Sequence, residues 1–153
     1  MSPEEKPFVL IARVTVNPGK IEEYLDLAAT TDKVVEDTEP DMLFHNFDAD
    51  PSDSHKFTWT ELYRNDAALL NHLNNPPVQD YVQKHMEIAE SLEVEIYGTL
   101  SDETFNFLTD AWNEAGIPFK YFKTMDPISL IINFSRQARA SATCHCGSIS
   151  IFH

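Results

Sequence analysis

The chain is poor in the features that mark membrane, secreted or disulfide-rich proteins. Its 153 residues include only two cysteines, Cys144 and Cys146, which cannot form a disulfide framework, so a reducing cytosol is the expected compartment. No run approaches the roughly 18 apolar residues of a membrane span. The opening MSPEEKPFVL also lacks the basic flank and cleavage pattern of a signal peptide. We therefore predict a cytoplasmic protein with no membrane partner.

Positive charge is scarce as well. The chain has 25 Asp and Glu against 11 Lys and Arg, and a formal net charge of -14. Because such a surface repels phosphate backbones, a nucleic-acid partner is not expected. The hydrophobic content of 42% is enough for the core of a globular domain.

The spacing of apolar residues predicts alternating strands and helices between residues 7 and 100. The predicted strands are 8–16, 42–47, 55–63 and 92–100. The predicted helices are 20–37, 67–73 and 78–90, the second capped by Asn65 or Asp66. The order β-α-β-β-α-β is that of the ferredoxin-like α+β fold, with a four-stranded antiparallel sheet and helices on one face.

Two details of this pattern bear on which side chains are buried. In helix 20–37 we assign Leu25 to the apolar stripe, together with Ile21, Tyr24, Ala28 and Val35. In the last strand we expect Glu93 and Glu95 to face water. The other face of the sheet also carries apolar residues that nothing in the first 100 residues covers, which predicts a homodimer packed sheet against sheet.

The residues after 100 form a separate part of the predicted organisation. We predict a ferredoxin-like domain over 1–100, an extension over 101–134 and a mobile tail over 135–153. Within the extension, Ser101 caps a helix ended by Gly116, residues 119–124 read as a strand, and 128–134 as an apolar strand or arm.

The tail contains Cys144-His145-Cys146-Gly147, which resembles the opening of a zinc-binding formaldehyde-activating domain that depends on glutathione. The resemblance covers four residues. A tetrahedral zinc site needs two further well-spaced ligands, and no other histidines have ligand spacing. We therefore predict no metal.

The strand at 55–63 is the most informative stretch of the chain. Phe57, Trp59, Glu61 and Tyr63 fall on one face. Aromatic rings beside a carboxylate could wall a pocket for a flat, partly polar molecule.

Two segments, TEPDMLFHNF and KFTWTELYRNDAALLNHLNNPPVQDYV, resemble the antibiotic biosynthesis monooxygenase domain. The matching positions are Glu39-Pro40, Glu61, Ala67-Ala68-Leu69 and His72. The departures are Asp41 for a glycine, His45 for a tyrosine, Tyr63 for a tryptophan and Pro77 for a histidine. The resemblance covers about residues 7–100 and implies a dimeric α+β barrel, with a pocket between sheet and helices in each protomer.

The resemblance also implies a class of chemistry. Several family members are cofactor-independent monooxygenases that oxidise anthrones, quinols or other electron-rich phenols with O₂. We therefore expect a cofactor-free monooxygenase acting on a small aromatic substrate. The alternatives are a non-oxidative cyclase, isomerase or decarboxylase on the same fold, and a non-catalytic binding protein. Haem cleavage is disfavoured, because Ala12 or Arg13 and Tyr63 replace the asparagine and tryptophan expected for it.

His72 is the predicted base, able to deprotonate a phenol near neutral pH or to donate to an oxyanion. The competing interpretation is a half-buried histidine bonded to Glu61 or to a backbone carbonyl. Glu61 is predicted either to orient His72 or merely to cap an edge of the sheet, and the sequence does not decide between the two. Tyr63, beside the turn, is the third predicted catalytic residue, because its hydroxyl needs a partner if it is buried.

The predicted substrate-binding residues are less specific. His45 and Trp59 could line either the pocket or the dimer core, and for Trp59 core packing is the favoured role. Asn46 and Arg13 are candidates for substrate hydrogen bonds, and His85 for the pocket, although its apolar helical stripe favours a core-edge role. Tyr81 is assigned to packing.

Overall fold

The computed structural model describes residues 6–125, so the predicted arm at 128–134 and the tail at 135–153 lie outside the described residues. The elements are β1 Phe8–Val16, α1 Ile21–Thr38, β2 Met42–Ala49, β3 Lys56–Tyr63, α2 Asp66–Asn74, α3 Pro76–Ile88, β4 Ala89–Gly98, α4 Asp102–Glu114 and β5 Phe119–Lys123. No helix within residues 6–125 is long and apolar enough to cross a membrane.

These elements form one five-stranded sheet in the order β2-β3-β1-β4-β5. The pairs β2–β3, β3–β1 and β1–β4 are antiparallel, and β5 runs parallel to β4. The predicted ferredoxin-like α+β fold is confirmed, and the predicted strand at 119–124 is the fifth strand. The sheet is therefore mixed, because the return through α4 brings the chain back to the same edge in the same direction.

The core lies between the inner face of the sheet and the helices. Alternate residues of β1 and β3 point into it, as the pleat of a strand requires. The inward side chains of these two strands are Phe8, Leu10, Ala12, Val14 and Val16 from β1, and Phe57, Trp59, Glu61 and Tyr63 from β3.

A polar cap and a proline pair fix the helices opposite β3. Asn65 accepts a hydrogen bond from the Ala68 backbone N–H at 3.1 Å, as an N-cap should. After Asn75, Pro76 and Pro77 begin α3, where the missing proline N–H has no helical partner to lose. The break between α2 and α3 therefore lies where the sequence predicts it.

Two predictions about the elements were wrong. Leu25 is 40% exposed, because it follows Tyr24 directly and so lies about 100° around the helix from that buried ring; Leu27 packs against the core instead. The last strand begins at Ala89, directly after α3, rather than at residue 92.

Glu95 lies on the outer face of the sheet as predicted, but it does not face water. Only 9% of the residue is exposed. Its carboxylate lies 3.3 Å from Arg13 Nη2 and 3.6 Å from Lys120 Nζ, and accepts a hydrogen bond from Tyr97 Oη at 3.1 Å. Arg13 and Lys120 come from the strands on either side, β1 and β5, and Tyr97 from β4 itself. The pairing of these strands brings their side chains over the carboxylate and shields it from water.

Candidate active site

A cavity of about 400 Å³ lies between the inner face of the sheet and the helices. Its walls come from all four helices, from strands β1 to β4, and from the turn after α4. The volume falls in the range of small-molecule sites. The cavity occupies the position that the family resemblance implies.

The strand register explains why there is room for a cavity here. Ala12 of β1 pairs with Trp59 on one side and with Val94 on the other. The single methyl group of Ala12 leaves a depression in the floor between the indole and the valine. All three side chains line the cavity.

The histidine predicted as base lines this cavity on α2 and is paired with a carboxylate. His72 Nδ1 lies 2.8 Å from Oε2 of Glu39, the residue that ends α1. Asn75 Nδ2 donates to the other oxygen of Glu39 at 2.6 Å. Burial pushes the pKa of Glu39 upward, but the hydrogen bonds from His72 and Asn75 outweigh it and hold the pKa below its ordinary value.

An ionised Glu39 can only accept, so Nδ1 of His72 carries a hydrogen, and in the neutral form of the imidazole the lone pair then lies on Nε2. This is the tautomer of a carboxylate-oriented general base. The imidazole also contacts Tyr63 edge-on, with ring centroids 5.7 Å apart. The His72 side chain lines the cavity and is only 12% exposed, so little water competes for the imidazole.

The partner predicted for His72 was wrong. Glu39, not Glu61, orients it, because α2 brings His72 against the C-terminal end of α1. Sequence reasoning treated Glu39-Pro40 only as a helix breaker and a family match. The family match at Glu39 is the feature of the sequence that could have identified this residue as part of the site.

Glu61 instead serves a second histidine. His45 of β2 lies between two carboxylates, with Nδ1 against Asp32 of α1 and Nε2 3.6 Å from Glu61 Oε1. Its ring stacks on Trp59, with centroids 4.6 Å apart. Burial disfavours the imidazolium, but the hydrogen bond and charge of Glu61 and the charge of Asp32 raise the pKa of His45 above its ordinary value.

Tyr63 is fully buried, and its hydroxyl donates to Glu61 Oε2 at 2.6 Å. Burial, with the charge of Glu61 next to it, raises the pKa of the phenol well above its ordinary value. Burial on its own would raise the pKa of Glu61, but the hydrogen bond from His45 and the nearby His72 outweigh it and keep this pKa below its ordinary value. Tyr63 is thus a neutral phenol committed to Glu61, which suits a positioning role.

Trp59 both packs in the core and lines the cavity. Its indole Nε1 donates to Tyr81 Oη at 3.0 Å, and Tyr81 Oη also shares a hydrogen bond with Tyr24 Oη. Tyr81 was assigned to packing alone, but it lines the cavity too. A tyrosine on a helical stripe gives no sequence signal for this, because only the tertiary contact with Trp59 places its ring there.

Three of the predicted substrate-binding residues do not line the cavity. Arg13 lies on the outer face of the sheet beside Glu95. Asn46 is exposed on that face, with its amide on the Asp48 carboxylate at 2.9 Å. His85 is 1% exposed and packs edge-on against Tyr24. The alternation of β1 and β2 places Arg13 and Asn46 on the outer face of the sheet, whereas His85 shares a helical stripe with Tyr81 but packs among the rings of Tyr24 and Tyr81.

Comparison with known proteins agrees with this fold. The sequence model of the family described as "Antibiotic biosynthesis monooxygenase" matches residues 7–84. Protein sll1783 of Synechocystis sp. is 29% identical over 101 residues, which cover 65% of this chain and 68% of that protein.

Two solved structures show how far the fold extends. PA3566 from Pseudomonas aeruginosa is 24% identical with a TM-score of 0.58, over 65% of this chain and 100% of its own. MupZ from Pseudomonas fluorescens is 18% identical with a TM-score of 0.62, over 85% of this chain and 94% of its own. Since 85% of 153 residues cannot fit within the first 100, the likeness to MupZ includes part of the extension.

Proposed function

The chain belongs to the antibiotic biosynthesis monooxygenase family, and we propose that it is a cofactor-independent monooxygenase that oxidises an anthrone-like or quinol-like molecule with O₂. The observation that carries the proposal is the Glu39–His72 pair, with Nδ1 held at 2.8 Å, at the wall of a largely apolar cavity. An imidazole oriented by a carboxylate at the wall of an aromatic-lined cavity is what deprotonation of an electron-rich phenol requires.

In the proposed first step, His72 Nε2 removes a proton from the substrate and leaves a carbanion or phenolate. The ionised Glu39 stabilises the resulting imidazolium through Nδ1–H. Trp59 and Tyr81 hold the substrate ring by packing, because their polar atoms are bonded to each other.

In the second step the substrate anion gives one electron to O₂, and the two radicals combine to form a carbon–oxygen bond. The imidazolium of His72 protonates the resulting peroxide anion. Loss of the remaining hydrogen on that carbon with cleavage of the O–O bond gives a carbonyl and water. Overall, a CH₂ group and O₂ become C=O and H₂O, so the substrate itself supplies all the electrons.

We propose a homodimer as the working form, packed through the outer face of the sheet. Three large hydrophobic side chains on that face are strongly exposed in a single chain: Phe44 is 49%, Tyr97 39% and Phe122 45% exposed. Burying such side chains against a second copy would remove their apolar surface from water, which favours association.

The test is oxygen uptake by metal-free protein with a panel of anthrones, hydroquinones and catechols. The expected result is conversion of an anthrone to its anthraquinone, with one oxygen atom of O₂ in the new carbonyl group and no effect of chelators. His72→Ala should lower kcat by about 10²–10⁴-fold, the usual contribution of a general base. Glu39→Gln should lower it less, since an amide oxygen still accepts from Nδ1–H but carries no charge.

The matched control is His55→Gln. His55 lies in the loop before β3, where its Nδ1 is 3.5 Å from Asp53 Oδ1, and it does not line the cavity. Its variant should turn over normally. If His72→Ala keeps its fold and turns over at the normal rate, His72 is not the base. If product forms without O₂, the same base serves a non-oxidative reaction.

A further inference from the structure

The cavity has two chemically different ends. The end formed by α1, β2 and β3 carries the ionisable groups Asp32, His45, Glu61 and Tyr63, with His72 against Tyr63. The lining residues of β4 and of the extension are all apolar: Leu92, Val94, Trp112, Ala115 and Ile117. From β2 to β4 the sheet order spans three strand spacings, or about 14 Å at ~4.8 Å each.

All five side chains of the apolar end lie beyond the 7–84 segment that matches the family, and three of them, Trp112, Ala115 and Ile117, come from the extension. Trp112 is 8% exposed and packs edge-on against Phe119 of β5, with ring centroids 4.7 Å apart. The extension therefore does more than add a strand to the sheet. The extension also supplies the wall of the cavity at the end away from the ionisable groups.

Backbone hydrogen bonds hold this wall in place. The Ile117 N–H donates to the Trp112 carbonyl at 2.8 Å, and the Val94 N–H donates to the Pro118 carbonyl at 2.9 Å. Gly116, with φ of 69°, makes the left-handed turn that ends α4 and allows the first of these bonds. A wall tied to both α4 and β4 cannot yield easily to a longer ligand.

We propose that Trp112, with Ala115 beside it, is the specificity-determining wall that sets how many fused rings the substrate can have. The inference deepens the proposed function and rests on the same cavity. The oxygenated ring of the substrate lies at the His72 end, and its apolar rings run over Ala12 toward Trp112. The substrate class is thus a flat polycycle that is oxygenated at one end and uncharged at the other.

The experiment measures dissociation constants by titration calorimetry for ligands of one to four fused rings: hydroquinone, naphthohydroquinone, anthrone and a naphthacenone. Trp112→Ala lengthens the cavity and should improve binding of the four-ring ligand about tenfold relative to anthrone, the size of effect that pocket shape produces. Ala115→Phe shortens it and should weaken anthrone binding about tenfold while leaving hydroquinone unaffected.

Phe107→Ala is the control, because Phe107 lies on the same helix but is 50% exposed and does not line the cavity. The Phe107→Ala variant should have the same ratios of dissociation constants between ligands as the unaltered protein. Should Trp112→Ala not fold, Trp112→Phe and Ala115→Phe still test the wall, since neither removes the ring packing of α4.

Oxygen uptake measured in parallel separates this inference from the proposed function. If the ratios of dissociation constants between ligands change as expected but no oxygen is consumed, the monooxygenase assignment is overturned, whereas the role of Trp112 and Ala115 in ring-size selection is supported. Oxygen-dependent turnover with ring-size ratios that stay the same in both variants would overturn the wall alone.

Discussion

His85 is a buried histidine whose protonation is linked to the stability of the fold. Its ring is 1% exposed, its Nδ1 has no hydrogen-bond partner, and burial lowers its pKa to about 4. The ionisable side chains that pack against the ring are Tyr24 and Tyr81, whose pKa values are raised, so neither charges in this range. His85 is therefore neutral in the folded chain.

This gives a pH dependence with a definite sign. Between pH ~6.5 and ~4 the unfolded chain binds a proton at His85 that the folded chain does not, so its contribution to stability falls as pH falls. The full loss below pH 4 is on the order of 3 kcal/mol. Chemical denaturation of His85→Phe should show a flatter decline between pH 7 and 4.5. A decline as steep as that of the unaltered protein would contradict the assignment.

Gly98 marks a close approach of two strands. Its φ is 149°, and a Cβ there would lie 2.3 Å from Cβ of Phe8, a fully buried residue. Gly98→Ala should destabilise the protein by about 2–4 kcal/mol, since both backbone strain and a core clash act against it. Gly19→Ala is the control, because Gly19 has φ of 79° but open space around it. Equal losses in the two variants, measured by urea unfolding, would show that the clash contributes nothing.

At the scale of single elements, α2 is a short helix whose position determines that of the base. Its nine residues depend on the Asn65 cap, and its last turn carries His72. Asn65→Ala should cost about 1 kcal/mol of stability, whereas Asn65→Asp retains the capping oxygen and should cost little. Because a shift of α2 would move Nδ1 away from Glu39, kcat should fall in the alanine variant more than in the aspartate variant. Identical kcat in both would mean that the cap does not position His72.

The elements were largely predictable because their signals are local. Asn65, the two prolines at 76 and 77, and Ser101 mark helix boundaries by their own chemistry, and the structure has those boundaries. The alternation in 55–63 likewise placed Trp59, Glu61 and Tyr63 on the buried face.

The pairings within the site were not predictable from the sequence. Glu39 and His72 are 33 positions apart, and nothing local says that the end of α1 meets α2. The same holds for His45 with Asp32, and for Tyr81 with Trp59. Residue types and faces follow from periodicity, whereas partners follow from how whole elements pack.

For the whole molecule, the exposed outer sheet face predicts the oligomeric state. Ile11 points outward from the central strand β1, paired with Thr60 and Glu95. Light scattering should give a mass near twice the 17.4 kDa of one chain. Ile11→Asp should shift it to a single chain, because it would bury a carboxylate at the interface. Leu25→Asp, on the exposed side of α1, should remain dimeric, and a monomeric unaltered protein would contradict the proposed interface.

Both tryptophans of the chain, Trp59 and Trp112, line the same cavity, on β3 and α4 respectively. The tryptophan emission of this protein, excited at wavelengths that tyrosine does not absorb, therefore originates entirely at the candidate site. A bound polycycle whose absorption overlaps the emission of indole would quench that emission by energy transfer, because both indole rings lie in the wall of the cavity. Occupancy can thus be followed without a label, and the single-tryptophan variants Trp112→Phe and Trp59→Phe would report separately on the two ends.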